Sequence, residues 1–460
     1  MARSKPPNLH NKKVLIVGLA KTGMAAAQFL LKQGATVTAA DVNSKKSTVL
    51  TNANKLQSMG VSVELGPHET QTFTNADLIV LSPGVPHTIS PIVEAQSKNI
   101  PVIGETELAS QFIDIPIIAI TGTNGKTTTT ELTGDMLRQS GKRVFVGGNI
   151  GMPLTELLMS DQTFDIAVVE ISSFQLDTIK TFCPNVAILL NITEDHLYRY
   201  SDMTAYAHSK FKLFQNQGSN HIAILNGQDD YCLAGYSTLK SKIYWLDRDN
   251  AACEKQSIHC QSKILTTPLG SCFDMSKTRL IGHHNRQNIA AAILASQFMG
   301  GTADGIQETI NTFKGLAHRV EYVSTINGIS FYNDSKATNV DATLKALTCF
   351  NTPIRLILGG LDKGGDYARL IPEIQKTVCE CILIGQAQQI IKKALKAHHK
   401  ISHIPIHHSK TLDDAVNHAY SNACCGDIVL LSPACASFDM FDSYNHRGDT
   451  FKNSIRQLIK

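Results

Sequence analysis

The chain is poor in several features that would point to particular functions. It has one tryptophan in 460 residues, so stacking platforms for single-stranded nucleic acid are not expected. Surplus charge is small: 43 Lys and Arg against 39 Asp and Glu give 43 − 39 = +4, too little to mark a nucleic-acid or membrane surface. No apolar run approaches the roughly 18 residues that span a bilayer. The 11 cysteines are odd in number and contain no C-x-x-C pair, which disfavours a disulfide framework or a cysteine-built zinc site and fits a reducing compartment. The basic start, Met1 to Lys13, runs into Val14-Leu15-Ile16-Val17 like the opening of a signal peptide, but Lys21 and a glycine-patterned turn interrupt it. It reads as the first strand of a cytoplasmic protein. What remains is ordinary globular composition, 43% hydrophobic and 18% charged, at a length that suggests about three domains. A small-molecule enzyme is the favoured class.

The recurring pattern is a short apolar run, a glycine or polar turn, then a helical stretch, which signals parallel α/β units. Three blocks separate, at 1–105, 106–315 and 316–460. The first has strands at Val14–Val17, Ala35–Ala40 and Asp77–Leu81, a helix over Met24–Lys32, and the turn Gly18-Leu19-Ala20-Lys21-Thr22-Gly23. That turn is a dinucleotide-type fingerprint with Ala20 at the middle glycine and Asp41 about 20 residues on. By itself it is compatible with an empty tight turn, with NAD(P), or with another nucleotide. The second block has strands at Ile115–Ile120, Arg143–Val146, Asp165–Val169, Val186–Leu190 and His221–Leu225. The third has them at Ile329–Tyr332, Ile354–Leu358, Cys381–Ile384 and Ile428–Leu431. The stretch Asp247–Thr278 has weak periodicity.

The strongest motif directly follows the strand ending at Ile120: Thr121-Gly122-Thr123-Asn124-Gly125-Lys126-Thr127-Thr128. A glycine-rich turn at a helix N-terminus cradles phosphate with backbone N–H groups, its lysine reaches the terminal phosphates, and the hydroxyl suits Mg²⁺. The spacing is shortened, since Ile120 stands at the first glycine position. Asn149, Glu170 and Thr193-Glu194-Asp195-His196 follow the neighbouring strands, at the edge where open parallel sheets bind ligands.

Together these segments resemble the Mur ligases: the Thr121–Thr128 loop, Gly147-Gly148-Asn149-Ile150-Gly151, Glu170 to Leu176, Thr193 to His196, His284-Asn285 with Asn288, and His318-Arg319. Within that family, Asp334-Ser335-Lys336-Ala337-Thr338-Asn339 and Leu431 to Asp439 look like the branch that adds D-glutamate. The likeness spans essentially the whole chain. It implies three α/β domains: an N-terminal Rossmann-like parallel sheet, a central P-loop ATPase domain and a C-terminal Rossmann-like domain. The activity implied is ATP-dependent joining of D-glutamate to UDP-N-acetylmuramoyl-L-alanine through an acyl phosphate, in peptidoglycan precursor synthesis, by a monomer.

The resemblance also distributes roles. Lys21, Thr22, Asp41, Ser82, Pro83, Gly84 and Asn149 would line the UDP-substrate site, with Asn43 where other members carry a longer basic side chain. Gly122, Thr123, Asn124, Gly125, Lys126, Thr127 and Thr128 would hold ATP phosphates, Asn285 and Asn288 adenine, Arg319 the γ-phosphate and Asp334 the ribose. Thr127 and Glu170 would serve one Mg²⁺; His196 and a carbamylated Lys210 would serve a second. Lys336, Thr338, Lys363, Ser437, Phe438 and Tyr444 would bind D-glutamate. Lys126, His196, Lys210, Arg319 and Lys336 form the catalytic set, and sequence leaves open which group takes the amine's proton. Read without the family, Lys210 is a solvated helix charge.

Two clusters are decoys. His398, His399, His403, His407 and His408 fit no ligand spacing and read as solvated loop and helix end. The pair Asp413-Asp414 reads as a helix start. The rivals are a sister ligase for another amino acid, a folylpolyglutamate synthase, and a regulatory ATPase that does not ligate. The absence of a D-N-P-R run argues against a diamino-acid enzyme.

Overall fold

The computed structural model describes residues 6–248, 256–261 and 263–458. The first five residues of the basic start and part of the Asp247–Thr278 stretch lie outside the described residues. Three sheets follow one another along the chain.

The first sheet contains β1 (Lys13–Val17), β2 (Thr36–Asp41), β3 (Ser62–Leu65), β4 (Leu78–Leu81) and β5 (Val102–Gly104). Its order is β3-β2-β1-β4-β5, and every pairing is parallel. The order reverses between β1 and β4, which creates a crevice at the strand carboxyl ends. Apolar clusters around Ile16, Phe29 and Leu56, and around Leu15, Phe73 and Ile79, cover its faces.

The second sheet contains β6 (Ile117–Thr121), β7 (Val144–Gly148), β8 (Ile166–Glu170), β9 (Val186–Leu189), β10 (Ile222–Asn226), β11 (Lys242–Leu246), β12 (Ser257–Gln261), β13 (Ile264–Thr266) and β14 (Cys272–Asp274). The order is β14-β13-β12-β11-β10-β9-β6-β8-β7. β6 is Ile-Ile-Ala-Ile-Thr, buried throughout, the continuous apolar run expected of a parallel strand covered on both faces. β12 to β14 are antiparallel, so the weakly periodic stretch extends the sheet.

The third sheet contains β15 (Glu321–Ile326), β16 (Ile329–Asn333), β17 (Ile354–Gly359), β18 (Val378–Ile384), β19 (Ile406–His408) and β20 (Ile428–Leu431), in the order β15-β16-β20-β17-β18-β19. β15 is antiparallel and the rest are parallel.

By contacts the chain divides into two compact units. One comprises residues 1–192, 196–277 and 287–311, and so holds the first two sheets; the other comprises 193–195, 278–286 and 312–460. Within the first unit, the helix Glu105–Ser110 joins the two sheets through buried carboxylates. Glu107 accepts hydrogen bonds from the N–H groups of Lys180, Thr181 and Phe182 at 2.8–2.9 Å. Glu105 accepts one from Thr155 N at 2.6 Å.

The expected strands are found with small shifts at their ends, and β3, an exposed edge strand, and β5 add two to the first block. The helix expected from Met24 begins at Lys21. Asp413-Asp414 does open a helix, Leu412–Asn422, where Thr411 and Asp414 form a reciprocal cap. The histidine tract needs correction at its end. His407 and His408 lie in β19, where the His407 ring stacks on His418 at 3.6 Å and His408 Nδ1 lies 2.7 Å from Gln388 Oε1. Edge pairing and ring stacking, rather than solvation, account for those two.

Candidate active site

The phosphate-loop candidate joins β6 to the helix Lys126–Gln139. Gly125 has φ +88°, the left-handed region that favours glycine, and a Cβ there would also displace the Asn288 side chain. Asn191 holds the loop. Its side-chain oxygen accepts from Asn124 N at 2.9 Å, its amide donates to Asn124 O at 3.0 Å, and its carbonyl accepts from Thr123 N at 2.9 Å. Sequence reading missed Asn191, although it stands two residues before the Thr193 motif.

Lys126 Nζ folds back onto the carbonyls of Gly122 and Thr123, both at 2.8 Å. Thr127 Oγ1 donates to Glu170 Oε2 at 2.8 Å, and Asn149 Nδ2 donates to Glu170 Oε1 at 2.8 Å. The ends of β7 and β8 thus converge on the first turn of the loop helix.

Lys210 lies in the helix Met203–Phe211 and is only 1% exposed, which excludes the solvated-surface reading. Its Nζ donates to Gly122 O at 2.9 Å and sits 4.6 Å from the Tyr206 ring. His196, at φ +57°, has its ring centroid 6.3 Å from that of Tyr206, and its Nδ1 lies 3.2 Å from Tyr198 Oη. Tyr206 Oη is 3.3 Å from Thr123 Oγ1, so one aromatic ring links the loop, Lys210 and His196.

At the first sheet, a Cβ on Gly23 would collide with the carbonyl of Gly18, so the turn before the helix Lys21–Lys32 closes only with glycine. Ser82 Oγ donates to Gly18 O at 2.9 Å across the β1–β4 reversal, and Asp41 accepts from Leu19 N at 2.8 Å and from Asn43 N and Nδ2 at 2.8 and 3.1 Å. Lys21 Nζ donates to Gly151 O of the second sheet's loop at 2.7 Å. Pro83, Val85, Phe174, Gln175 and Arg199 meet around a small cavity; the Arg199 guanidinium stacks 4.3 Å over Phe174 and donates to Val85 O at 3.2 Å. Thr22 stands in the first turn of the helix Lys21–Lys32 and Gly84 in the loop after β4.

In the second unit, the adjacent strands β16, β20 and β17 end in the loops that carry the remaining candidates. Asp334 is buried; Ser432 Oγ donates to it at 2.8 Å and Val320 N at 3.1 Å. Burial pushes its carboxyl up to about 7 against those hydrogen bonds and the nearby Arg319. Left-handed residues His318 (φ +64°) and Val320 (φ +45°) bracket Arg319, an uncommon backbone for a β-branched side chain. Lys336 Nζ lies 3.7 Å from the Tyr444 ring. Ser437 is buried, while Lys363 and Phe438, the latter 69% exposed, face solvent and Thr338 is half-buried. Asn285 Nδ2 donates to Ile281 O at 2.7 Å. Asn285 groups with the second unit and Asn288 with the first. The Thr193–His196 motif divides likewise: Thr193 Oγ1 donates to Asp341 at 3.0 Å and Asn339 Nδ2 to Asp195 at 3.2 Å within the second unit.

The donors fit Mg²⁺. Thr127 Oγ1 and Glu170 are hard oxygens 2.8 Å apart. Among the described residues no three His, Cys, Asp or Glu cluster as a cage, and Mg²⁺ is commonly held by one or two protein oxygens plus phosphates and water. The loop fits a polyphosphate, with a helix N-terminus and a lysine at its mouth. No helix among the described residues is long and apolar enough to cross a membrane.

Comparison with known proteins agrees with three successive α/β sheets, the second of which carries the phosphate-loop candidate. The N-terminal domain of MurD-like Mur ligases matches residues 12–104, the Mur ligase middle domain 120–296, and the Mur ligase glutamate ligase domain 318–435. The chain belongs to the Mur ligase family. It is 43% identical over 461 residues to the UDP-N-acetylmuramoylalanine–D-glutamate ligase of Desulfosudis oleivorans, covering 99% of this chain and 98% of that protein. It is 45% identical over 453 residues to the ligase of the same name from Desulfatibacillum aliphaticivorans, covering 98% and 99%. Among solved structures, a pseudomurein peptide ligase type C from Methanothermus fervidus superposes with a TM-score of 0.60 at 20% identity, covering 98% of this chain and 100% of that one; this likeness concerns the fold.

Proposed function

We propose that this protein is an ATP-dependent ligase that joins D-glutamate to UDP-N-acetylmuramoyl-L-alanine in the cytosol, a step of peptidoglycan precursor synthesis. The full-length likeness to the D-glutamate ligases carries this reading, and the phosphate loop with its Lys126, Thr127 and Glu170 supports it. The domains are assigned as 1–105 for the UDP substrate, 106–315 for ATP and 316–460 for the amino acid.

The chemistry starts from repulsion. The alanyl carboxylate must approach the γ-phosphate, and two unit charges about 4 Å apart at an effective dielectric near 20 repel by ~4 kcal/mol. Lys126, once its ammonium exchanges the Gly122 and Thr123 carbonyls for phosphate oxygens, offsets that repulsion and the charge building on the transferred phosphoryl group. Thr127 and Glu170 would hold one Mg²⁺, and His196 with a carbamylated Lys210 a second. When bound, Mg²⁺ neutralises phosphate charge. The carboxylate oxygen attacks phosphorus, ADP leaves, and the amine of D-glutamate attacks the acyl phosphate; loss of a proton and of phosphate leaves the amide. Arg319 is assigned to the transferred phosphate, Asp334 to the ribose, and Asn285 and Asn288 to the adenine. Lys336, Thr338, Lys363, Ser437, Phe438 and Tyr444 take the D-glutamate, whose carboxylates suit lysine and hydroxyl donors. Lys21, Thr22, Ser82, Pro83, Gly84 and Asn149 line the UDP substrate, and Asp41 shapes the turn beside it.

The test is ADP release with UDP-N-acetylmuramoyl-L-alanine and a panel of amino acids. Release should depend on D-glutamate and not on L-glutamate or meso-diaminopimelate; equal turnover with an L-amino acid would refute the assignment.

A further inference from the structure

Arg447 is fully buried, in the first turn of the helix Tyr444–Gln457, and belongs to none of the motifs above. Its guanidinium reaches two loops at once. Nε donates to Ser335 Oγ at 3.0 Å and Nη2 to Ser335 O at 2.8 Å. On the other side, Nη1 and Nη2 both donate to Cys435 O at 3.1 Å, and Nη1 to Ala436 O at 3.3 Å. Ser335 directly precedes Lys336, and Ala436 directly precedes Ser437. Ser335 Oγ passes the connection on, donating to Tyr444 O at 2.8 Å, the residue whose ring receives the Lys336 ammonium. The loop after β17 joins the same assembly: Leu361 and Ala436 exchange both backbone hydrogen bonds, at 2.9 and 3.0 Å, two residues before Lys363.

A buried charge is a costly way to fill a core, and an apolar side chain of similar volume commonly serves stability as well or better. Burial draws this guanidinium down to about 10, against the pull of the Cys435, Asp439 and Asp334 groups, so it stays charged at neutral pH. What an apolar side chain lacks is a planar fork able to fix several oxygens at set angles. The oxygens fixed here belong to the segments that present Lys336 and Ser437.

We propose that Arg447 is a positioning residue for the amino-acid site: by clamping the loops after β16 and β20 to one guanidinium, it sets the spacing of Lys336 and Ser437 and so governs affinity for the incoming amino acid. This rests on the D-glutamate reading given above.

Steady-state kinetics on the full chain test it. Arg447→Lys keeps a charge but loses the fork, and KM for D-glutamate should rise about tenfold or more, with KM for ATP and for the UDP substrate within about twofold. Ser335→Ala keeps the guanidinium and removes one acceptor. It should raise the same KM about threefold and, by leaving the Arg447 Nε–H and the Tyr444 carbonyl without that partner, lower the thermal midpoint by only a few degrees. It decides the matter if Arg447→Lys does not fold. A purely structural role would lower the midpoint without separating the three KM values. If wild type depends on D-glutamate and both folded variants keep its KM, Arg447 is not a positioning residue. If wild-type ADP release does not depend on D-glutamate, the activity reading falls and this inference with it.

Discussion

Lys126 and Lys210 donate to the same carbonyl oxygen, that of Gly122, at 2.8 and 2.9 Å. Two ammonium groups on one acceptor repel, and burial penalises the charged form of Lys210 further. Reaction of a neutral amine with CO₂ would relieve both and leave a carboxylate-like oxygen donor beside the phosphate loop. Lys210→Ala should therefore lose nearly all turnover, with part of it returned by a small carboxylate such as acetate. Lys210→Arg should fail as well, because a guanidinium cannot be carbamylated; wild-type turnover in that variant would return Lys210 to a packing role.

Lys126→Ala should abolish ADP release while binding of the UDP substrate stays within a few-fold of wild type. The proposed uridine crevice lies at the β1–β4 reversal of the first sheet, and Lys126 opens the helix after β6 of the second. Calorimetric titration of the variant with the UDP substrate checks this, and lost affinity would contradict the division of roles between the two sheets.

Burial pushes the Glu105 carboxyl up to about 7 from 4.5, opposed by its hydrogen bond from Thr155. A raised carboxyl binds protons more tightly in the folded chain than in the unfolded one, so its contribution is full below about pH 4.5 and is lost as pH rises through 7. Glu105→Gln removes the titration and keeps an acceptor for Thr155 N. It should be nearly neutral at pH 5 and stabilising at pH 8, by ~2–3 kcal/mol at most. Denaturant melts at the two pH values measure the difference, and a constant offset would mean that Glu105 does not titrate in this window.

Burial raises the neighbouring Glu107 carboxyl too, but the hydrogen bonds from Thr181, Lys180 and Phe182 outweigh it and hold the group below its ordinary range. Its sign is opposite: the contribution is present above the unfolded value and lost as pH falls through the lower folded one. Glu107→Ala orphans three N–H groups and should cost ~3 kcal/mol at pH 7. The loss should shrink in acid; a melting difference that did not change with pH would argue against an ionised Glu107.

Much of the fold was legible because parallel strands buried on both faces announce themselves as short apolar runs, as at Ile117–Ile120 and Ile428–Leu431. β3, with exposed Ser62, Glu64 and Leu65, lacked that signal, and the three-residue strands β13 and β14 were too short to carry any period. The phosphate loop was readable since its chemistry is contiguous in sequence. The clamps were not: Glu107 meets residues more than 70 positions away, and Arg447 meets Ser335 at a separation of 112. Arg447 did leave one trace, standing three residues after Tyr444 and so on the same helix face. His407 and His418 meet by stacking from a strand and a helix, a pairing that no spacing rule encodes.

The carboxylates of the helix Glu105–Ser110 and the Lys21–Gly151 contact bind the first two sheets into one compact unit. Under the function proposed above, a substrate anchored by its nucleotide at the β1–β4 reversal carries its reactive carboxylate over a span set within that unit. On the proposed reading the sugar and lactyl-alanyl arm works as a gauge of length. Acceptors one residue shorter or longer would be rejected without any side chain touching the difference.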